Sequence, residues 1–346
     1  MNIFNEIINA YQNNLPFVAY RKPNTTTIKG VFLQNNTLFY TQNYTESGFV
    51  FAPFDDKYPS VLFPFTKAKR LEETFISTKI ISEKNDFPFD DDSKENHINL
   101  IKRGLETIEK GQFKKVVLSR KEDVKLIDFD IFTTFKKLLQ NYTNAFVYVW
   151  YHPKVGLWLG ATPETLLQVQ NNQFTTMALA GTQVYKGTTD VVWQEKELQE
   201  QQFVTDFIIN NLEKVTKNLQ KSTVKTVKAG NLVHLKTVIT GNLEQQELKN
   251  IINVLHPTPA VCGLPKEQAK AFILANENYK RGYYTGFLGE LNINTSTSLF
   301  VNLRCMNIDK NKATIYVGGG ITKDSNPEKE YEETVAKSKT MKRVLT

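Results

Sequence analysis

Two side chains in this sequence stand where proton transfer could be carried out. Lys115 opens the apolar run of KKVVLSR (Lys114–Arg120), where its amine can lose part of its water. Desolvation disfavours the ammonium form and suits a general base. The same lysine could instead lay its stem along a strand edge and keep its amine in solvent. Glu164 follows the Gly-Ala-Thr-Pro turn of GATPETLLQV (Gly160–Val169) and precedes an apolar stretch. A carboxyl group held among apolar residues has a raised pKa and can act as a general acid. In the same place it could also cap a backbone donor.

Four further carboxylates fall into two pairs. Glu197 and Glu200 are three apart in WQEKELQEQQFV, and Glu330 and Glu333 are three apart in PEKEYEETVAK, with Lys337 four beyond Glu333. This spacing puts both members of a pair on one helix face. If the two helices meet, their oxygens suit a hard cation such as Mg²⁺, which shares its shell with waters and a substrate anion. If they do not meet, these are solvated faces laced with ion pairs. Arg304 alternates with an apolar stripe of Leu299, Val301, Leu303 and Cys305, so it points away from that stripe. A fixed guanidinium there can clamp a carboxylate, or it is ordinary surface. VGGGI (Val317–Ile321) reads as a glycine-rich turn whose N–H groups could face an anion, though tight turns use the same residues. HPTPAVCGLP (His256–Pro265) carries three prolines and a glycine. It either redirects the chain or presents main-chain atoms to a ligand.

The elements that must position these groups are legible from periodicity. Ile3, Phe4, Ile7 and Ile8 share one face of an N-terminal helix. Short β-segments follow at Pro16–Arg21, Lys29–Leu33, Thr37–Thr41 and Gly48–Pro53, then an acidic connector at Asp86–Asn96. Helices are expected at about His97–Lys110, Asp130–Gln140, Val191–Val215, Gln246–Val254, Lys266–Asn276 and Glu328–Val344. Strands are expected at Lys115–Arg120, Ala145–Tyr151, Gly156–Gly160, Thr165–Val169, Phe174–Leu179, Val224–Val227, Leu232–Ile239, Gly282–Leu291, Leu299–Ile308 and Lys312–Val317. Strands and helices alternate in blocks, not as strict βαβ units. That predicts an α+β fold, with large mixed β-sheets and helices on the outer faces. Residues 1–90 are expected to form a β-rich part of the same fold and residues 91–346 the catalytic region, together one domain.

Composition narrows the function class less sharply. The formal charge is +7, but the lysines are spread along the chain with no basic stripe and no nucleic-acid motif. No run of about 18 apolar residues suggests a membrane span. The N-terminus lacks the basic region of a signal peptide. The two cysteines, Cys262 and Cys305, form neither a disulfide framework nor a metal-type spacing. A cytoplasmic setting, with no nucleic-acid and no membrane partner, is expected.

The order of the motifs says more than any one of them. KVVLSR, GATPETLL, LAGT, EKELQE, HPTPAVCGLP, RGYYTGFLGEL and GGGI with EYEET occur in that sequence over about residues 97–346. This order resembles the chorismate-utilising enzymes, which include isochorismate, salicylate, anthranilate and aminodeoxychorismate synthases. Residues 1–90 match that family only loosely. HPTPA (His256–Ala260) looks like the isochorismate synthase branch. Ala180 of LAGT lies where aminodeoxychorismate synthases carry a nucleophilic lysine.

The resemblance implies a sandwich of two large sheets, a monomer, and Mg²⁺ as cofactor. It implies that Lys115 activates water against C2 of chorismate and that Glu164 protonates the departing C4 hydroxyl. Glu200 and Glu333 would hold the metal, with Glu197 and Glu330 in or near its shell; at 197, close relatives often carry Asp. Arg304, Lys337, Thr182 and the amides around Gly181, Gly318 and Gly320 would hold the substrate carboxylates, with Ala180, Ala260 and Tyr284 lining the pocket. His234 would face the leaving hydroxyl or be a satisfied core histidine. The product would feed menaquinone or a catecholate siderophore; a salicylate- or anthranilate-forming relative is the alternative.

Overall fold

The computed structural model describes residues 2–76, 91–229, 232–243 and 248–345. Two antiparallel sheets dominate it. The first runs, in ladder order, β15 (Gly263–Leu264), β7 (Lys115–Lys125), β19 (Lys312–Thr322), β18 (Cys305–Asp309), β9 (Gly156–Thr162), β8 (Phe146–His152), β1 (Phe17–Arg21), β2 (Thr27–Leu33) and β6 (Ala68–Thr74). The second runs β12 (Gln220–Lys221), β14 (Leu232–Asn242), β11 (Gln173–Val184), β10 (Thr165–Gln170), β17 (Ser296–Val301), β16 (Phe287–Ile293), β4 (Gly48–Ala52), β5 (Ser60–Pro64) and β3 (Phe39–Thr41), with β13 (Lys225–Ala229) also on β14. The early strands therefore enter both sheets.

Alternation along the strands builds the sandwich. Phe146, Tyr148 and Trp150 of β8 face inward with Tyr20, Phe49, Phe51, Phe63 and Phe300, and this aromatic layer fills the space between the sheets. Val147, Val149 and Tyr151 point the other way, against α1 (Ile3–Gln12) and α3 (Ile131–Asn141). Each fully buried large apolar side chain contributes about 1.5–3 kcal/mol of transfer free energy. α4 (Glu195–Leu212) and α5 (Leu248–Leu255) cover the outer face of the second sheet, and α2 (Asp91–Glu109) and α6 (Lys266–Asn276) pack on β7. α7 (Pro327–Lys342) lies along β19 and is capped by Asn326, whose side chain accepts from the Lys329 amide at 3.0 Å.

The α+β fold with two large sheets is as expected, and its ladders are antiparallel instead of mixed: consecutive strands such as β1–β2, β8–β9 and β18–β19 pair directly, and long-range pairs such as β7–β19 and β11–β14 run antiparallel as well. α2 begins at Asp91, inside the stretch that read as a connector; acidic residues are favoured in a helix's first turn. The helix expected from Val191 begins at Glu195, and part of the segment expected at Gln246–Val254 lies outside the described residues. Gly282–Gly286 is a turn, and β16 starts only at Phe287.

Two differences matter for the site. Leu299–Ile308 reads as one strand but is two: β17 belongs to the second sheet and β18 to the first. The chain crosses between sheets at Asn302–Arg304, so Arg304 lies in a crossing and not on the face opposite an apolar stripe. VGGGI is no turn. It is the end of β19, with Gly318, Gly319 and Gly320 opposite Ser119, Leu118 and Val117 of β7.

β7 is also held from its other edge. Gly263, at φ 142°, pairs with Val116, and a Cβ there would lie 2.2 Å from the Lys115 carbonyl oxygen and 2.9 Å from Val116 Cα. Both obstacles are backbone. Gly263→Ala is expected to destabilise the protein by about 2–4 kcal/mol, read as a lower urea midpoint. A midpoint equal to the parent's would mean that β15 can move away from β7 at no cost.

Candidate active site

The site lies at one end of the sandwich, where β7, β11, β19 and the two inter-sheet crossings meet helices α4 and α7. Lys115 starts β7, and its side chain is 14% exposed. Its Nζ lies 3.0 Å from Glu200 Oε1 on α4. On its other side is Gly320, where an added Cβ would sit 3.1 Å from Lys115 Cε. A Cβ on Gly319 would come 3.3 Å from Glu330 Oε2 of α7. Gly320 thus lets the Lys115 side chain lie against one face of β19, and Gly319 lets Glu330 approach the opposite face, where a larger residue would hold each of them off.

Glu164 sits at the other crossing, between β9 of the first sheet and β10 of the second. Its carbonyl accepts the Val301 amide at 2.9 Å, which ties the two crossings together. Burial pushes its carboxyl up to about 7, offset in part by the positive charges of Arg304 and Lys115 and by the Thr258 hydroxyl. Thr258 Oγ1 is buried without a well-formed hydrogen bond beside it. Sequence reasoning missed Thr258 because it weighed the proline-rich turn for its backbone alone; its hydroxyl between two prolines was the available signal. In the same turn the His256 ring, held down at about 4 by burial, meets the Thr285 carbonyl at 3.1 Å and anchors it.

The cations converge from three elements. Lys337 of α7 bonds to Glu333 Oε1 at 2.5 Å and to the Gly318 carbonyl at 2.9 Å. Burial lowers its amine, with Glu333 acting against the shift. Because Gly318 turns its carbonyl away from β7, its N–H and those of Gly320 point to the same side, toward α7. Arg304 is lowered by desolvation and feels Tyr284, Glu333 and Glu164. Tyr284 is 2% exposed, and its hydroxyl would lie 3.0 Å from a Cβ on Gly318. His234 of β14 places Nδ1 3.1 Å from the Gly181 carbonyl; desolvation lowers it, opposed by that contact. Lys337 and Arg304 lie near enough to lower it further.

The carboxylates come as two groups. Burial raises Glu330, and the charge of Glu333 adds to the shift. Glu197 accepts the Gln194 amide at 2.9 Å and so helps begin α4, while its Cβ packs over Gly181, whose φ of 69° forms the bulge between Ala180 and Thr182. Among the described residues no three His, Cys, Asp or Glu side chains lie close enough together to hold a metal ion. Glu200 and Glu333 are instead each engaged by an amine. Ala180 is buried in the core under α4, Thr182 stands opposite His234 in the ladder, and Ala260 lies in the Thr258–Cys262 turn and offers only backbone polar groups.

An acid held protonated near neutrality, an amine across from it, and two more cations beside them suit a small substrate bearing carboxylates. A family model described as "Chorismate binding enzyme" matches residues 63–346. The chain belongs to the chorismate-binding enzyme family. It is 28% identical to isochorismate synthase DhbC of Bacillus subtilis over 272 residues, 72% of this chain and 68% of that protein. The vibriobactin-specific isochorismate synthase of Vibrio cholerae is 30% identical over 53% of this chain, and that match spans only 49% of the relative's own length. MenF, the menaquinone-specific isochorismate synthase of Escherichia coli, shares the fold with a TM-score of 0.78, covering 96% of this chain and 89% of its own at 21% identity. Among the described residues no helix is long and apolar enough to cross a membrane.

Proposed function

We propose that this chorismate-binding enzyme is an isochorismate synthase. It converts chorismate to isochorismate through a water that adds at C2 and a hydroxyl that leaves from C4. The observation that carries the reading is the pairing of Glu164, titrating at about 7, with Lys115 and Arg304 near enough to oppose that shift. Lys115, acting with its amine in the unprotonated form, takes a proton from the water as the C2–O bond forms. Glu164 gives its proton to the C4 hydroxyl as that C–O bond breaks, and the ring double bonds move between the two carbons. One water enters and one leaves, so the reaction is an isomerisation. Arg304 and Lys337 hold the substrate carboxylates, with Thr182 and the β19 amides, and Tyr284 and Ala260 line the pocket. Ala180 offers no amine there, which counts against an aminodeoxychorismate-type reaction.

The four carboxylates have the donor chemistry of a magnesium site, although as they stand no three of them lie close enough together to hold the ion. Their donors are all oxygen, and the mutual repulsion of Glu330 and Glu333 is of the kind a divalent cation relieves. Glu200 and Glu333 would hold it, with Glu197 and Glu330 beside them. When bound, it supplies positive charge against a substrate carboxylate. The enzyme works as a cytoplasmic monomer at the entry to menaquinone or catecholate siderophore synthesis.

Incubating the purified protein with chorismate, with and without Mg²⁺, tests this. Isochorismate is the expected sole product, with turnover abolished by EDTA and restored by added Mg²⁺. Salicylate, or anthranilate when ammonium is supplied, would move the chain to another branch. No Mg²⁺-dependent turnover of chorismate would remove the proposal.

A further inference from the structure

Beneath the site lies a buried ion pair with no part in the chemistry above. The side chains of Arg281 and Glu277 are 2% and 1% exposed. Arg281 donates through Nε to Glu277 Oε2 at 2.8 Å, and through Nη2 to Glu277 Oε1 at 2.6 Å and the Val117 carbonyl at 2.7 Å. Its Nη1 reaches the Val261 carbonyl at 2.9 Å and Thr285 Oγ1 at 3.2 Å. Glu277 Oε1 accepts from both the amide and the hydroxyl of Ser119, at 2.8 and 2.7 Å.

These contacts replace a strand. β15 pairs with β7 only at Lys115 and Val116, and the Val117 amide then donates to the Cys262 carbonyl at 2.8 Å. Farther along that edge the Val117 carbonyl and the Ser119 amide are taken by the guanidinium and the carboxylate. Arg281 therefore grips β7 next to Lys115, the turn that carries Thr258 beside Glu164, and Thr285, whose neighbour Tyr284 reaches β19. We infer that Arg281 and Glu277 are positioning residues that set the distance between the base-bearing strand and the acid-bearing side of the pocket. The inference rests on reading Lys115 and Glu164 as base and acid. A buried ion pair is weak evidence for stability, since apolar replacements are often neutral. Here an apolar replacement would leave two carbonyls and an amide unpaired, and one lysine nitrogen cannot span carbonyls in two segments.

The test combines Arg281→Lys and Glu277→Gln with steady-state kinetics on chorismate, thermal unfolding, and hydrogen exchange at the Ser119 amide. Arg281→Lys is expected to lower kcat about 10- to 100-fold with KM within about threefold, because a small misplacement of reacting groups costs that much. Ser119 should exchange faster. Glu277→Gln, which keeps an acceptor for Ser119, should show the same split with a smaller loss, and it carries the test if Arg281→Lys does not fold. An unchanged kcat in a folded variant, losses that follow Tm alone, or an unaltered Ser119 exchange rate would overturn the inference. If the parent protein does not turn over chorismate, the acid–base reading fails, and Ser119 exchange still decides whether the pair locks β7.

Discussion

Glu164→Gln is expected to slow chorismate turnover by about 10²–10⁴-fold, the usual contribution of a general acid, with the fold intact. Glutamine matches glutamate in shape but has no proton to give. The anchoring of residue 164 is through its carbonyl on the Val301 amide, which the substitution leaves in place. Burial is what pushes the carboxyl up to about 7. The acid must be protonated to act, so turnover by the parent enzyme should fall as pH rises past 7, and the residual rate of the variant should lack that limb.

The same shift makes a stability prediction independent of activity. The folded-state pKa lies above the ordinary 4.5, so the folded protein holds a proton that the unfolded chain releases. The stabilisation this provides is complete below about 4.5 and is lost as pH rises through about 7. Glutamine does not titrate. Urea denaturation of both proteins at pH 5 and pH 8 should therefore show the variant gaining on its parent at the higher pH. Activity within tenfold of the parent would sink the acid assignment. A stability difference that does not change with pH would mean that the group is not buried in the way described.

Lys115→Ala carries the second large effect, again about 10²–10⁴-fold. Folding should survive, because β7 is held by backbone pairing on both edges, to Leu264 and to Thr322. The carboxylate left behind, Glu200, is 34% exposed and can be solvated at small cost. Lys115→Arg separates two roles for the amine. A guanidinium keeps the charge but stays protonated, so it cannot accept a proton from water. The arginine variant should be as inactive as the alanine variant by single-turnover assay. Recovery of activity with arginine would show that residue 115 supplies charge alone, and that the proton goes elsewhere.

Much of this was readable in one dimension. The inward–outward alternation of Phe146–Tyr151, the apolar face of Ile3, Phe4 and Ile7, and the glycine that ends α2 at Gly111 are local patterns with local causes, and they gave the elements and the α+β class. The order of seven motifs pointed to the chorismate-utilising family, which the match over residues 63–346 establishes. Alternation says which way a side chain points from its strand. It does not say which sheet the strand joins, so Leu299–Ile308 read as one strand although the chain changes sheets at Asn302–Arg304. For the same reason VGGGI passed for a turn: glycine satisfies a tight bend and a close approach equally well, and only the pairing of β19 with β7 distinguishes them.

The partners were the least visible part, because each lies far along the chain from the residue it serves. Nothing near Lys115 announces Glu200, and nothing near Arg281 announces Val117, Val261 and Ser119. By itself the sequence determined which residues carry titratable groups, how they are spaced, and which helices and strands bear them. Tertiary structure alone decided that the crossings at Glu164 and Arg304 are tied together at one end of the sandwich, and that bare β19 backbone lets Lys115 approach one of its faces and Glu330 the other. Helix and strand periods are set by bonds a few residues long, whereas the environment of a buried charge is set by whatever the whole chain packs around it.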